Sequence, residues 1–161
     1  MTTFVLIPGA GGVAWYWHRL QPLIDQAGHE ALAVDLPGDD AHAGLSAYAD
    51  LVIAPIGDRG NVALVAQSMG GFTSALVCAR AHKSLRMLVF VNAMIPLPCA
   101  WPDIPIHVVV GKDDRFFPSD FQARVARDRL GKVADEIPGG HLVALSHPRE
   151  LAERLLAYAA K

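Results

Sequence analysis

Ser68 stands between a short apolar run, Val62–Val65, and a stretch of helical composition, Met69–His82. This pattern predicts a buried strand, a sharp turn at the serine, and then a helix. On such a turn the hydroxyl projects from the sheet, beside the next backbone N–H and the N-terminus of the helix. The arrangement is suited to the formation of a covalent acyl-enzyme.

Small residues stand two positions before and two positions after Ser68, where the strand and the helix of such a turn pass close to each other. Gly70 stands two residues after it, and Ala66 stands two residues before it, where glycine is usual. Many serines that precede a helix are only helix caps, so the Ser-x-Gly spacing is weak evidence by itself. The strand before Ser68 and the helix after it favour a nucleophile.

The rest of the chain alternates between short apolar runs and helical stretches. Six runs predict buried strands, at Thr3–Ile7, Glu30–Asp35, Val62–Ala66, Met87–Asn92, Ile106–Val110 and Val133–Ile137. Helical stretches lie between and after them, at Trp15–Ala27, Ser46–Ala54, Met69–His82, Pro118–Leu130 and Pro148–Ala160. This order predicts an α/β fold, a three-layer α/β/α sandwich with a mostly parallel six-stranded sheet. No repeat or linker divides the chain, so residues 1–161 are expected to form a single domain.

The carboxyl ends of the predicted strands are where ligands bind in sheets of this kind. Ser68 follows the third predicted strand, the segment Gly111–Pro118 follows the fifth, and Pro138–His141 follows the sixth. A serine, an acid and a histidine therefore reach one edge of the sheet, in that order along the chain. This is the strongest indication of a catalytic site in the sequence.

Two positions of this arrangement have a competitor nearby. Asp113 stands beside Asp114, and the Gly-x-x-Asp spacing favours Asp114, which leaves Asp113 as a solvated turn residue. His147 competes with His141, but its place directly before a proline indicates a helix entrance. The other histidines have no partner pattern and are expected at the surface or in packing; they are His18, His29, His42, His82 and His107.

Composition and charge exclude several classes of function. Of 161 residues, 52% are apolar and 19% are charged, which is enough apolar material for a sizeable core. The 14 Lys and Arg residues, set against 16 Asp and Glu, form no basic run and disfavour a nucleic-acid partner. The N-terminus has no signal-like stretch, and no segment is long enough to span a bilayer, so no membrane association and a cytoplasmic location are expected.

No spacing in the chain implies a metal or an organic cofactor. Cys78 and Cys99 lack metal-ligand spacing and are expected to be ordinary free thiols. The glycines of Pro8–Gly12 do not have the Gly-x-Gly-x-x-Gly spacing of a dinucleotide site. The aromatic run Trp15–Trp17 is typical of a core, although one of its rings could line an acyl pocket.

These segments together resemble the α/β-hydrolase superfamily, and most of all its plant-type methylesterase and hydroxynitrile lyase branch. Phe4–Ala10 and Ala14–Leu20 are similar to the first strand, oxyanion loop and first helix of that branch. Gly111–Pro118 is similar to its acid loop, and Gly139–Leu142 to its histidine loop. The likeness extends over nearly the whole chain.

The resemblance implies a role for each residue of the site. Ser68 would be the nucleophile, His141 the general base and later the general acid, and Asp114 the carboxylate that orients His141. The backbone N–H groups of Ala10 and Met69 would form the oxyanion hole. The implied activity is that of a serine carboxylesterase for small or short-chain esters. A thioesterase or acyltransferase with the same three residues, or a hydrolase-fold binding protein without activity, are the alternatives.

The chain departs from the family pattern at two positions of the site. Gly9 and Leu142 stand where hydroxynitrile lyases of the branch have threonine and lysine, which favours ester hydrolysis over cyanohydrin cleavage. Serine as the nucleophile also disfavours the epoxide hydrolases and dehalogenases of the superfamily, whose nucleophile is aspartate.

The largest departure is the absence of a helical cap, which relatives insert between the fourth and fifth of these strands. This chain has only Ala93–Asp103 there, so the sequence predicts a minimal hydrolase without a cap. We expect a shallow, wet groove with a high Michaelis constant and a preference for short acyl groups. The apolar loop Met94–Pro98, together with Trp101, is expected to be bare. A homodimer that covers the open site would bury it.

Overall fold

A single six-stranded sheet forms the centre of the computed structural model, which describes residues 1–97 and 99–161 and leaves the side chain of His82 undescribed. Its strands are β1 Thr3–Ile7, β2 Glu30–Ala33, β3 Val62–Gln67, β4 Leu85–Val91, β5 Ile106–Gly111 and β6 Asp135–Ile137. Their order across the sheet is β2-β1-β3-β4-β5-β6, and every neighbouring pair is parallel. The predicted α/β class is confirmed, and the sheet is parallel throughout.

Helices connect the strands and cover both faces of the sheet. They are α1 Gln21–Gln26, α2 Leu45–Ile56, α3 Gly70–Ala81, α4 Ser119–Leu130, α5 Val143–Ser146 and α6 Pro148–Ala159, with short 3-10 helices at Ala14–Trp17 and His82–Ser84. Because side chains alternate along a strand, neighbouring residues supply two cores. Val65 packs on one face with residues of α1, α5 and α6, whereas Leu64 packs on the other with residues of α2, α3 and α4.

The helix predicted at Trp15–Ala27 is divided in two, which corrects the sequence prediction. A 3-10 helix ends at Trp17, and α1 begins at Gln21 with Pro22 in its first turn. In a continuous helix Pro22 would lack the N–H needed by the carbonyl of His18, and its ring would collide with that carbonyl. The chain therefore turns before the proline and starts a new helix.

The connection between β4 and β5 spans residues 92–105, and its described residues contain no helix. The prediction that its apolar residues are bare is wrong for most of them. Ile95 is 2% exposed, and the ring of Trp101 packs edge-on against Phe90 with centroids 5.3 Å apart. Leu97 is exposed, and the part of the prediction that concerns Pro98 lies outside the described residues. Without a helical cap, this short segment folds down onto the core instead.

Candidate active site

Ser68 lies in the tight turn that joins β3 to α3. Its φ is +50°, a left-handed conformation that is uncommon for a residue with a side chain and that stores strain. Backbone hydrogen bonds hold the turn: the N–H of Ser68 donates to the carbonyl of Val91 at 3.3 Å, and its own carbonyl accepts from Met94 at 2.9 Å and Gly71 at 3.2 Å. The side chain therefore stands at the carboxyl edge of the sheet, beside the N-terminus of a twelve-residue helix.

The two glycines after the serine allow α3 to approach its neighbours closely. A Cβ atom on Gly70 would lie 2.8 Å from the carbonyl oxygen of Pro8, and one on Gly71 would lie 1.8 Å from that of Met94. No other residue type fits at such distances without displacing the backbone. The small residue predicted two positions after the serine is therefore required by packing.

Ser68, His141 and Asp114 form a continuous chain of hydrogen bonds. The hydroxyl of Ser68 lies 3.0 Å from Nε2 of His141, and Nδ1 of His141 lies 2.8 Å from Oδ2 of Asp114. In the tautomer that carries its proton on Nδ1, the imidazole donates to the carboxylate and accepts from the serine. The side chain of Asp114 is fully buried and that of His141 is 15% exposed. The hydrogen-bonded series is therefore closed to solvent at the aspartate and reaches solvent at the histidine.

The carboxylate of Asp114 has donors for both of its oxygens. Oδ1 accepts from the backbone N–H groups of Phe116 at 2.8 Å and Phe117 at 3.0 Å, which close a turn immediately after the aspartate. Oδ2 accepts from His141 and, at 3.3 Å, from the amide of Gln122 in α4. A buried charge needs such partners, and here every one of them also fixes the direction of the carboxylate.

Asn92 ties the histidine loop to the sheet, a role that the sequence does not reveal. It follows β4 with a φ of +45° and is fully buried. Its Oδ1 accepts from the backbone of Gly111 at 2.6 Å, and its Nδ2 donates to the carbonyls of Gly140 at 3.0 Å and His141 at 3.2 Å. Gln67 donates to the same carbonyl of His141 at 3.3 Å. The position of the imidazole is thus set from two neighbouring strands.

The predicted oxyanion donors lie in two segments, Ala10 after β1 and Met69 after β3. Neither the N–H of Ala10 nor that of Met69 donates to a described residue, although neighbouring N–H groups of both turns do. The two segments are in close contact, since Gly70, next to Met69, packs so tightly against Pro8 that a Cβ atom on it would lie 2.8 Å from the carbonyl oxygen of Pro8. Both line a cavity of ≈ 270 Å³ beside the serine. Both N–H groups are thus without a partner among the described residues, and their role as an oxyanion hole stays a prediction.

The competing residues of the sequence lie elsewhere. Asp113 is exposed, and Nδ1 of His147 contacts the hydroxyl of its neighbour Ser146 at 3.0 Å. Among the aromatic residues at the start of the chain, Tyr16 and Trp17 are buried in the core and Trp15 is 63% exposed. Burial raises the pKa of the Tyr16 hydroxyl above its ordinary value, and the charge of Asp114 adds to the effect.

The remaining histidines take part in local packing or face solvent. His18 stacks on Trp15 with ring centroids 4.4 Å apart, and His107 stacks on Tyr158 at 3.9 Å. His29 accepts the N–H of Thr2, and His42 is exposed. The prediction for the side chain of His82 lies outside the described residues.

The described residues offer no site for a metal ion. No group of three or more His, Cys, Asp or Glu side chains converges within the described parts of the chain. Cys78 and Cys99 are free thiols, and burial raises the pKa of Cys78 to about 12, which makes it a poor nucleophile. None of the described helices combines the length and apolarity needed to cross a membrane.

Comparison with known proteins assigns the chain to a family. A model described as "Alpha/beta hydrolase family" matches residues 4–100 and 80–154, which together span nearly the whole sequence. The chain belongs to the alpha/beta hydrolase family. Ser68, Asp114 and His141 follow β3, β5 and β6, and this Ser, Asp, His order along the chain is the order usual in that family.

Individual relatives are esterases and related plant enzymes. Polyneuridine aldehyde esterase of Rauvolfia serpentina is 33% identical over 105 residues, which are 59% of this chain and 40% of that protein. Norfluorocurarine synthase 1 of a Strychnos species is 32% identical over 105 residues, 58% of this chain and 39% of its own. The matched segments thus span about two fifths of these curated relatives. A crystal structure of polyneuridine aldehyde esterase superposes with a TM-score of 0.87 at 19% identity, covering 99% of each chain.

Proposed function

We propose that the protein is a serine carboxylesterase that cleaves small or short-chain carboxylic esters through an acyl-enzyme on Ser68. The observation that carries the proposal is the unbroken hydrogen-bonded path from the hydroxyl of Ser68 through His141 to the buried carboxylate of Asp114. A serine hydroxyl is a weak nucleophile until a base takes its proton, and this path supplies the base and its orienting acid. Relatives that are esterases support the same reaction class.

In the first half of the reaction, Nε2 of His141 removes the proton from Ser68 while the oxygen attacks the ester carbonyl. The carbonyl oxygen becomes an oxyanion, and the N–H groups of Ala10 and Met69 are the donors available to it. Each such donor typically lowers the barrier by about 3–4 kcal/mol. The imidazolium, stabilised by Asp114, then gives its proton to the departing alcohol, and the acyl group stays on the serine.

In the second half, His141 takes a proton from a water molecule that attacks the acyl-enzyme. The same oxyanion donors act again, and the proton returns to Ser68 as the carboxylic acid leaves. Because His141 is 15% exposed, water reaches the base without a change of conformation. The products are one alcohol and one carboxylic acid.

Two residues favour ester hydrolysis over the cleavage of cyanohydrins. A Cβ at Gly9 would lie 2.4 Å from Oε1 of Gln67 and 2.8 Å from Cβ of Ser68, so the threonine of lyases does not fit there. Leu142 is 51% exposed and apolar, and it offers no charge where lyases have lysine. The site therefore lacks the groups that would stabilise a cyanide leaving group.

Hydrolysis of p-nitrophenyl acetate and butyrate by the wild type and by Ser68→Ala tests the proposal. We expect the substitution to lower kcat by about 10⁴-fold or more, because it removes the nucleophile. His141→Gln and Asp114→Asn are expected to give large losses as well. Their matched controls, His147→Gln and Asp113→Asn, are expected to retain activity. Equal rates for the wild type and Ser68→Ala would overturn the proposed function.

A further inference from the structure

A second cavity, of ≈ 240 Å³, lies between α4 and residues 93–95 of the β4–β5 connection. Its walls are apolar and largely aromatic, with Phe72 from α3 and with Phe117, Phe121 and Val125 from the acid loop and α4. Such a lining accepts the apolar part of a small molecule, and it contains no acidic residue.

The inner end of this cavity borders the catalytic residues. The ring of Phe117 packs edge-on against the imidazole of His141, with centroids 5.2 Å apart. On the opposite wall, the N–H of Met94 is hydrogen-bonded to the carbonyl of Ser68 at 2.9 Å. A group bound in the cavity would therefore be attached close to the ester carbonyl that Ser68 attacks.

The outer end of the cavity carries a cation. Nη1 of Arg129 donates to the carbonyl of Ile95, and no carboxylate among the described residues forms a salt bridge with this guanidinium. Arg129 is the one charged residue among the described residues that line the cavity. It therefore has donors to spare for an anion at this end.

The distance between the two ends follows from the geometry of α4. Gln122, which contacts Asp114, and Arg129 line the same cavity and are separated by seven residues of helix. At 1.5 Å per residue, the backbone positions of these two residues lie about 10 Å apart along the helix. That length corresponds to an apolar spacer of about six to eight carbon atoms.

We propose that this cavity binds an ester whose apolar chain or ring ends in a carboxylate, with the carboxylate at Arg129. The inference rests on the proposed function, because it names a substrate class for the same site, and it extends the expected short chain to one of about six to eight carbon atoms that ends in a carboxylate. A site that selects only for apolar esters does not respond to charge at the far end of the substrate. In the site proposed here, a negative charge at that end raises kcat/KM, because Arg129 binds it, and a positive charge there is repelled.

Matched pairs of esters test the proposal without deciding in advance which side of the ester enters the cavity. Monomethyl suberate against methyl octanoate places the carboxylate on the acyl side. 8-Acetoxyoctanoic acid against octyl acetate places it on the alcohol side. We expect kcat/KM to be about 5- to 20-fold higher for the acidic member of one pair, which is the range of a partly exposed, charge-assisted contact. The preference is expected to fall as sodium chloride is added.

Arg129→Gln is expected to bring the ratio of acidic to neutral ester close to one. The control is Arg127→Gln, which removes the same charge from the same helix; Arg127 faces Asp128 at 3.8 Å and does not line the cavity. We expect this control to keep the preference. No preference in either pair, or a preference that survives Arg129→Gln, would overturn the proposal. A wild type that does not hydrolyse p-nitrophenyl butyrate would instead overturn the proposed function and this inference with it.

Discussion

Gln122 is a single donor placed among acceptors at the base of the catalytic site. Its Nε2 lies 2.5 Å from the carbonyl of Phe117, 3.3 Å from Oδ2 of Asp114 and 3.4 Å from Oδ1 of Asn92. Asn92 and Asp114 are buried and Phe117 is half-buried, so these acceptors rely on protein donors such as this amide. One side chain thus joins α4, the acid loop and the end of β4, and it contacts the proposed catalytic residues through Asp114.

The substitution Gln122→Glu is expected to destabilise the fold and to change the pH dependence of activity. It puts a carboxylate oxygen opposite three acceptors, which we expect to lower the free energy of unfolding by about 2–4 kcal/mol. Two carboxyl groups this close cannot both ionise readily, so the acid limb of the kcat/KM profile is expected to move to higher pH. Urea unfolding measures the change in stability. Rates for p-nitrophenyl butyrate between about pH 4 and 9, the range in which carboxyl and imidazole groups titrate, measure the change in pH dependence.

Gln26→Glu is the matched control, because the same change there takes place on an exposed residue. It is expected to alter unfolding by less than about 0.5 kcal/mol. If Gln122→Glu unfolds at the same urea concentration as this control, the amide of Gln122 does not stabilise the acid loop. If its pH profile coincides with that of the wild type, Gln122 does not act on Asp114.

At the scale of elements, the first turn of α3 is the point on which the site depends. It packs against the segment after β1 through Gly70 and against the β4–β5 connection through Gly71. Met69, a predicted oxyanion donor, is the one residue between Ser68 and this turn. Any displacement of the turn therefore moves Ser68 and Met69 together.

Gly71→Ala is expected to reduce stability and activity at the same time. The added methyl group would lie 1.8 Å from the carbonyl oxygen of Met94, which is backbone and cannot turn aside. Overpacking of this kind typically costs about 1–3 kcal/mol, and the shift loosens the hydrogen bond from Met94 to Ser68. Gly60→Ala, which meets nothing within 4 Å, is the control. Equal melting temperatures for the two variants would contradict this packing argument.

At the scale of the whole molecule, the exposed large apolar side chains are concentrated around the site. Segments that follow the carboxyl ends of the strands contribute most of them: Val13, Trp15, Leu45, Met69, Leu97, Phe116, Phe121 and Leu142. The ring of Phe116 stacks on His141 with centroids 5.1 Å apart, yet the residue is 77% exposed. The apolar surface left open is therefore this rim rather than the β4–β5 connection alone.

The predicted homodimer would cover this rim, and it is tested by light scattering. We expect the wild type to form a dimer and the double variant Trp15→Ser/Phe116→Ser to be monomeric, because it removes two of the most exposed rings. With the groove open, the Michaelis constant of the monomer for p-nitrophenyl butyrate is expected to be about 1 mM or higher. Val133→Ser, on an even more exposed residue before β6, is the control and is expected to stay dimeric. A monomeric wild type would contradict the predicted dimer.

The sequence predicts best where a residue type and a strand end coincide. Ser68, Asp114 and His141 each follow a predicted strand closely, and the structure places them in hydrogen-bonding contact. Asn92 and Gln122 cannot be identified in this way, since a side-chain amide has no characteristic sequence spacing and its role depends on which loops meet around it. Pro22 is a sequence signal for the bend before α1 that the prediction of one helix over Trp15–Ala27 does not use, whereas the four residues of α5 are too few to show a helical period.

The β4–β5 connection is also a suitable place for the insertion of another protein domain. Both of its ends are anchored at the sheet, and it contacts the backbone of Ser68 directly through the hydrogen bond from Met94. Its exposed residues Leu97 and Ala100 lie between these anchors, where inserted sequence disturbs no strand pairing. A receptor domain spliced in here would be mechanically linked to the serine. With the proposed esterase activity, the release of a coloured alcohol would then report what the inserted domain binds.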